Sequence, residues 1–149
     1  MTTLSPNLGL ANFVKPTVDT PFYIDYSWWE GQSVDINIQL LDHLPENLRE
    51  AYAGKRVDEK IDLIDWETGS VQQVEGLQYL IAIQCSEDPS YIMQAPTLLE
   101  TVFRVFLSNG NQPLSSRALS PLVGRQPEKI LRLLAVGKVR KGLRPVIEL

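Results

Sequence analysis

One cysteine, one histidine and two methionines in 149 residues leave little for soft-ligand, thiol or imidazole chemistry. Cys85 alone forms no intrachain disulfide, and with His43 as the single imidazole it leaves too few ligands for a zinc site. The sparing use of cysteine fits a reducing compartment. Cys85 sits in an apolar stretch without a neighbouring base, which reads as a structural thiol and not a nucleophile. His43 follows Asp42 near the end of an expected helix, where surface polarity or a helix-dipole contact is the ordinary role of such a pair. Long hydrophobic runs are also missing. The longest apolar-rich stretch, residues 77–85, is far below the roughly 20 residues that cross a bilayer. The opening MTTLSPNLGL has neither a basic segment nor an apolar one of the secretory kind, so the expectation is a cytoplasmic protein without a membrane partner.

Other signals of chemistry are absent. Asp58, Glu59, Asp62 and Asp65 crowd one segment but lack the alternating ligand and glycine spacing of a calcium loop. Gly137-Lys138 lacks the upstream glycine of a phosphate-binding loop and reads as a helix stop. The sequence therefore points away from an enzyme: no catalytic residue, no metal and no cofactor are assigned.

What is present is a globular composition, 44% hydrophobic and 21% charged, in a chain long enough to bury a core without a staple. Its charge is unevenly placed. Residues 111–149 hold eight basic side chains against Glu128 and Glu148, a local balance of +6, while the other 110 residues carry −10. The net −4 hides a basic end on an acidic body, and a cationic patch concentrates polyanions whatever the total.

Along the chain, Pro6, Pro16 and Pro21 suit an extended arm over residues 1–21. Ser27-Trp28-Trp29-Glu30 has capping-box spacing and predicts a helix start at Ser27. A helix over 33–43 capped by Ser33, a second opened by Pro45 and running through Tyr52, a hairpin over 60–74 around Gly69, and a helix over 77–85 complete an acidic module, residues 22–92. Trp28, Trp29 and Trp66 with Phe22, Tyr23 and Tyr26 read first as core aromatics; as the functional alternative, Trp28 and Trp29 form an exposed step and are the candidate partner-binding residues. Their acidic surroundings make them poor platforms for nucleic-acid bases.

Residues 95–149 have clearer punctuation. Pro96 and Asn109-Gly110 bracket an apolar helix, Gly124 ends a short helix from Ser116, and Pro127 and Gly137 bracket another. Residues 138–140 and 143–148 read as a basic hairpin around Lys141-Gly142. On the 127–136 helix, Pro127, Ile130, Leu131 and Leu134 share one side, which would pack on the 97–108 helix, with Glu128, Lys129 and Arg132 opposite. This order of helices, tight turn and basic hairpin resembles the winged helix-turn-helix superfamily.

The resemblance implies a mostly α (α+β) protein. It joins a small helical N-terminal module with one β-hairpin to a C-terminal winged helix-turn-helix-like module. It also implies a non-enzymatic DNA-binding, transcription-regulator-like role. Lys129 and Arg132 would face the major groove, and Arg117, Arg125, Lys138, Arg140, Lys141 and Arg144 would complete the basic face around the backbone phosphates. The alternative is a scaffold subunit whose basic face docks an acidic protein. In either case the acidic module would recruit a partner or form a homodimer.

Overall fold

The computed structural model describes residues 15–149 apart from 45, 47–48, 51–59, 76–78, 80, 84–87, 89 and 148–149. Cys85, Asp58, Glu59, the arm before residue 15, and most of the helices expected over 45–52 and 77–85 lie outside the described residues.

A short strand near the start of the chain organises the C-terminal third. In β1 (Pro21–Ile24), Phe22 and Ile24 alternate inward and are essentially fully buried. β1 is the middle strand of a three-stranded sheet, antiparallel to β4 (Leu114–Ser115) on one edge and to β5 (Leu143–Pro145) on the other. Just before β1, the amide of Arg117 donates to the Val18 carbonyl, so the end of the arm lies along the start of the helix that follows β4. Asn111, in the left-handed conformation (φ 62°), completes the β1 ladder beyond β4. Its side-chain oxygen accepts from the Ile24 amide and its side-chain nitrogen donates to the Ile24 carbonyl, both at 2.8 Å.

The first helices begin later or earlier than their expected caps. A 3-10 helix spans Tyr26–Gly31, capped by Asp25, whose carboxylate accepts from the Ser27 amide at 3.0 Å and the Ser27 hydroxyl at 2.6 Å. Ser27 is thus inside the turn and not its cap, because the stronger acceptor lies two residues upstream. Helix α1 (Ile36–Leu41) starts three residues after Ser33 for the same reason, with Asp35 holding the Asn37 amide. The hairpin forms as expected from β2 (Lys60–Ile64) and β3 (Val71–Glu75), closed by a turn in which Asp65 accepts from the Glu67 amide and Gly69 takes φ 75°.

After one helical turn, α2 (Ser90–Met93), the long helix α3 (Leu98–Ser108) starts from Thr97, whose hydroxyl accepts from the Glu100 amide. It ends at Gly110 in the left-handed conformation, with the Asn111 amide returning to the Phe106 carbonyl. α4 (Ser116–Val123) is capped by Ser115 and stopped by Gly124, and α5 (Pro127–Ala135) begins on Pro127. The apolar side of α5 packs chiefly on α4 and β5, with Ile130 fully buried.

The expected basic hairpin is replaced by a different arrangement. Residues 138–140 are not a strand, and β5 pairs with β1 across the chain. Lys141 (φ 53°) and Gly142 (φ 74°) are both left-handed, and the Gly142 carbonyl accepts from the Asp25 amide at 2.7 Å, which turns the chain onto β1. The core is one cluster that draws on both halves of the sequence, from Ile36 and Leu40 of α1 to Phe103 and Phe106 of α3, Ile130 and Leu143. The architecture is α+β, with helices around a small antiparallel sheet.

Candidate nucleic-acid interface

α5, the 137–142 loop and β5 bring six of the eight expected cations to two adjoining grooves. The first, about 480 Å³, is lined by Lys129, Arg132 and Arg140 over Leu98, Leu133 and Val136. The second, about 590 Å³, places Lys138, Arg140, Lys141 and Arg144 around Trp28, Gln32, Leu99 and Val139. Arg140 lines both, and its Nη2 donates to the Leu133 carbonyl at 3.0 Å, one of the orphan acceptors at the end of α5. Among the described residues, no acidic side chain lines either groove.

The six cations differ in how much charge they leave for a ligand. Lys129, Arg132, Lys138 and Arg140 are exposed and have no ion-pair partner among the described residues. Lys141 is held inward: its Nζ lies 3.0 Å from Glu100 Oε2 and 5.1 Å from the centre of the Phe103 ring. Arg144 pairs with Asp25 at 2.9 Å. Burial pushes the Asp25 carboxyl up, but the hydrogen bonds from Ser27 and the Arg144 charge together outweigh it, and its pKa is lowered.

Arg117 and Arg125 are not brought into the grooves. Arg117 is bound by Asp19, with Nε 2.7 Å from Oδ1, and Arg125 sits on the α4–α5 turn with Nη1 on the Gly124 carbonyl. Glu128 is exposed and makes no ion pair with Arg132; its field instead favours the charged form of Arg117.

The two tryptophans separate. Trp29 is buried at 7% exposure, packs against Phe103 and donates its indole N–H to the Lys141 carbonyl at 3.1 Å. It therefore belongs to the core and shapes the loop. Trp28 is half-buried, edge-on to Trp29 at 5.2 Å, and lines the second groove among the cations. The acidic surroundings that the sequence suggests for Trp28 are not those it has in space.

His43, just after α1, lies in a polar cluster behind the loop. Its Nδ1 is hydrogen-bonded to the Tyr91 hydroxyl, and its Nε2 is 4.0 Å from Glu100 Oε1. Glu100 also faces Arg104 at 3.6 Å, and Arg104 donates to the Tyr91 carbonyl while stacking over its ring. Burial pushes the His43 pKa below its usual value, against the opposing pull of Glu100. Glu100 and Asp25, which fix Lys141 and Arg144, were not singled out in the sequence, because their partners lie far away along it. Among the described residues, no helix is long and apolar enough to cross a membrane.

Comparison of the chain with protein-family models, with curated proteins and with solved structures finds no match.

Proposed function

We propose that this chain binds duplex DNA without catalysing a reaction, through α5 and the loop that follows it. One observation carries the reading: six cations line two adjoining grooves, and no described acidic side chain lines them. Lys129, Arg132, Lys138 and Arg140 supply the uncompensated charge, while Lys141 and Arg144, already paired, brace the loop. The order α3, β4, α4, tight turn, α5, basic loop, β5 supports the winged helix-turn-helix reading, with the 137–142 loop in the position of the wing. α5 then takes the place of the helix that enters the major groove, with Lys129 and Arg132 on its exposed side.

Binding is tested by anisotropy of a labelled duplex across a salt series. If the four uncompensated cations each neutralise a phosphate, log affinity falls with log salt at a slope of about −3.6, and Lys129→Ala brings it to about −2.7. No binding at low salt, or binding indifferent to Arg132→Ala, sinks the reading.

The apolar lining of the first groove, Leu98, Leu133 and Val136, favours a second reading, docking of an acidic protein segment. A protein recovered from the native source despite nuclease, and lost with Arg132→Glu, would support that one.

A further inference from the structure

We propose that the second groove holds an unstacked nucleobase on Trp28, so that the protein grips a strand end or single-stranded junction. The inference rests on the DNA-binding reading and narrows it. Contacts to duplex phosphates need only cations, and within a duplex the faces of the bases are covered by one another. A half-buried indole between cations is therefore surplus to duplex binding. An exposed base is what such a ring recognises, because every base offers a π-face to stack.

The groove also supplies charge beside the ring. Lys141 and Arg144 are paired with Glu100 and Asp25, so the cations at this groove without an ion-pair partner among the described residues are Lys138 and Arg140. Trp28 is held by its neighbour: the Trp28 and Trp29 rings pack perpendicular to one another at 5.2 Å, and Trp29 is itself fixed by Phe103 and the Lys141 carbonyl. A platform fixed in this way loses little freedom on binding. Gln32, which lines the same groove and donates one amide hydrogen to the Trp28 carbonyl at 3.3 Å, keeps its side-chain oxygen as an acceptor for a base edge.

The test compares two labelled probes of equal phosphate number, a blunt duplex and one with a short single-stranded overhang, against the full-length protein at fixed salt. The overhang probe is expected to bind on the order of tenfold more tightly and to quench tryptophan fluorescence. Trp28→Ala is expected to abolish the preference, so that the variant binds the two probes alike. Trp28→Phe should keep part of it, which guards against a variant that merely unfolds. Equal binding of the two probes overturns the inference and leaves the duplex reading intact; binding of neither overturns both. A preference that survives in Trp28→Ala removes Trp28 from the role. Displacement of the overhang probe by polyglutamate as readily as by an oligonucleotide of equal charge overturns the inference in favour of an acidic-protein site.

Discussion

Gly142 joins the basic loop to the sheet, and its conformation leaves no room for any other residue. It sits at φ +74°, and an added Cβ would stand 2.7 Å from the Asp25 carbonyl oxygen and 3.0 Å from the indole nitrogen of Trp29. One obstacle is main chain and the other is a buried ring already held by Lys141, so neither yields without moving β1 or the core. Gly142→Ala is therefore expected to destabilise the protein by at least about 2 kcal/mol, combining left-handed strain with a steric clash. In a chain of this size that is a fall of roughly 5 °C in the thermal midpoint. Gly137→Ala has the left-handed strain but open space around it, and Gly31→Ala has open space and no such strain. Differential scanning fluorimetry should rank the losses Gly142, then Gly137, then Gly31; any other order removes the close approach as the reason for the glycine.

At the scale of elements, α5 divides its labour by face. Ile130 is fully buried while Lys129 and Arg132 on either side are exposed. Ile130→Ala should cost about 2–5 kcal/mol in urea unfolding, and Arg132→Ala less than about 0.5 kcal/mol. Comparable losses for the two would mean that the exposed side of α5 is structural. This helix was legible in the sequence because its signals are local: Pro127 at its start, Gly137 past its end and an apolar repeat of helical period between them. The β2–β3 hairpin and α4 were legible for the same reason. The final strand was not. A neighbouring partner at 138–140 is the local solution, and it gives way to β1, nearly 120 residues away in the chain, which already holds Phe22 and Ile24 in the core. The site divides in the same manner. Its cations were visible as composition, but the ion pairs that separate Lys141 and Arg144 from Lys129, Arg132, Lys138 and Arg140 depend on partners brought in by the fold. So does the place of Trp28.

Across the whole molecule, the acidic and basic parts of the sequence are joined by more than a sheet. Residues from α1's end, α2, α3 and the basic loop meet in one cluster, in which His43 faces Tyr91, Glu100, Arg104 and, through Glu100, Lys141, with Asp42 beside it. Burial disfavours the charged imidazole, and the positive charges of Arg104 and Lys141 add to that, while Glu100 and Asp42 oppose it; the net direction is downward from the ordinary 6.5. About one pH unit or more above 6.5, His43 is neutral whether folded or unfolded and contributes no pH dependence. As the pH falls below 6.5 the unfolded chain takes up the proton first, so it binds more protons than the folded one and stability declines until the folded pKa is passed. Asp25 does not confuse this window, because its carboxyl is held below 3.8 and its contribution is lost only in stronger acid. Urea unfolding at a series of pH values should therefore show stability level above about pH 7.5 and falling as the pH passes through and below 6.5, with His43→Gln flattening that fall. A wild-type curve flat down to pH 5, or an equal slope in His43→Gln, would detach His43 from the coupling between the two halves of the chain.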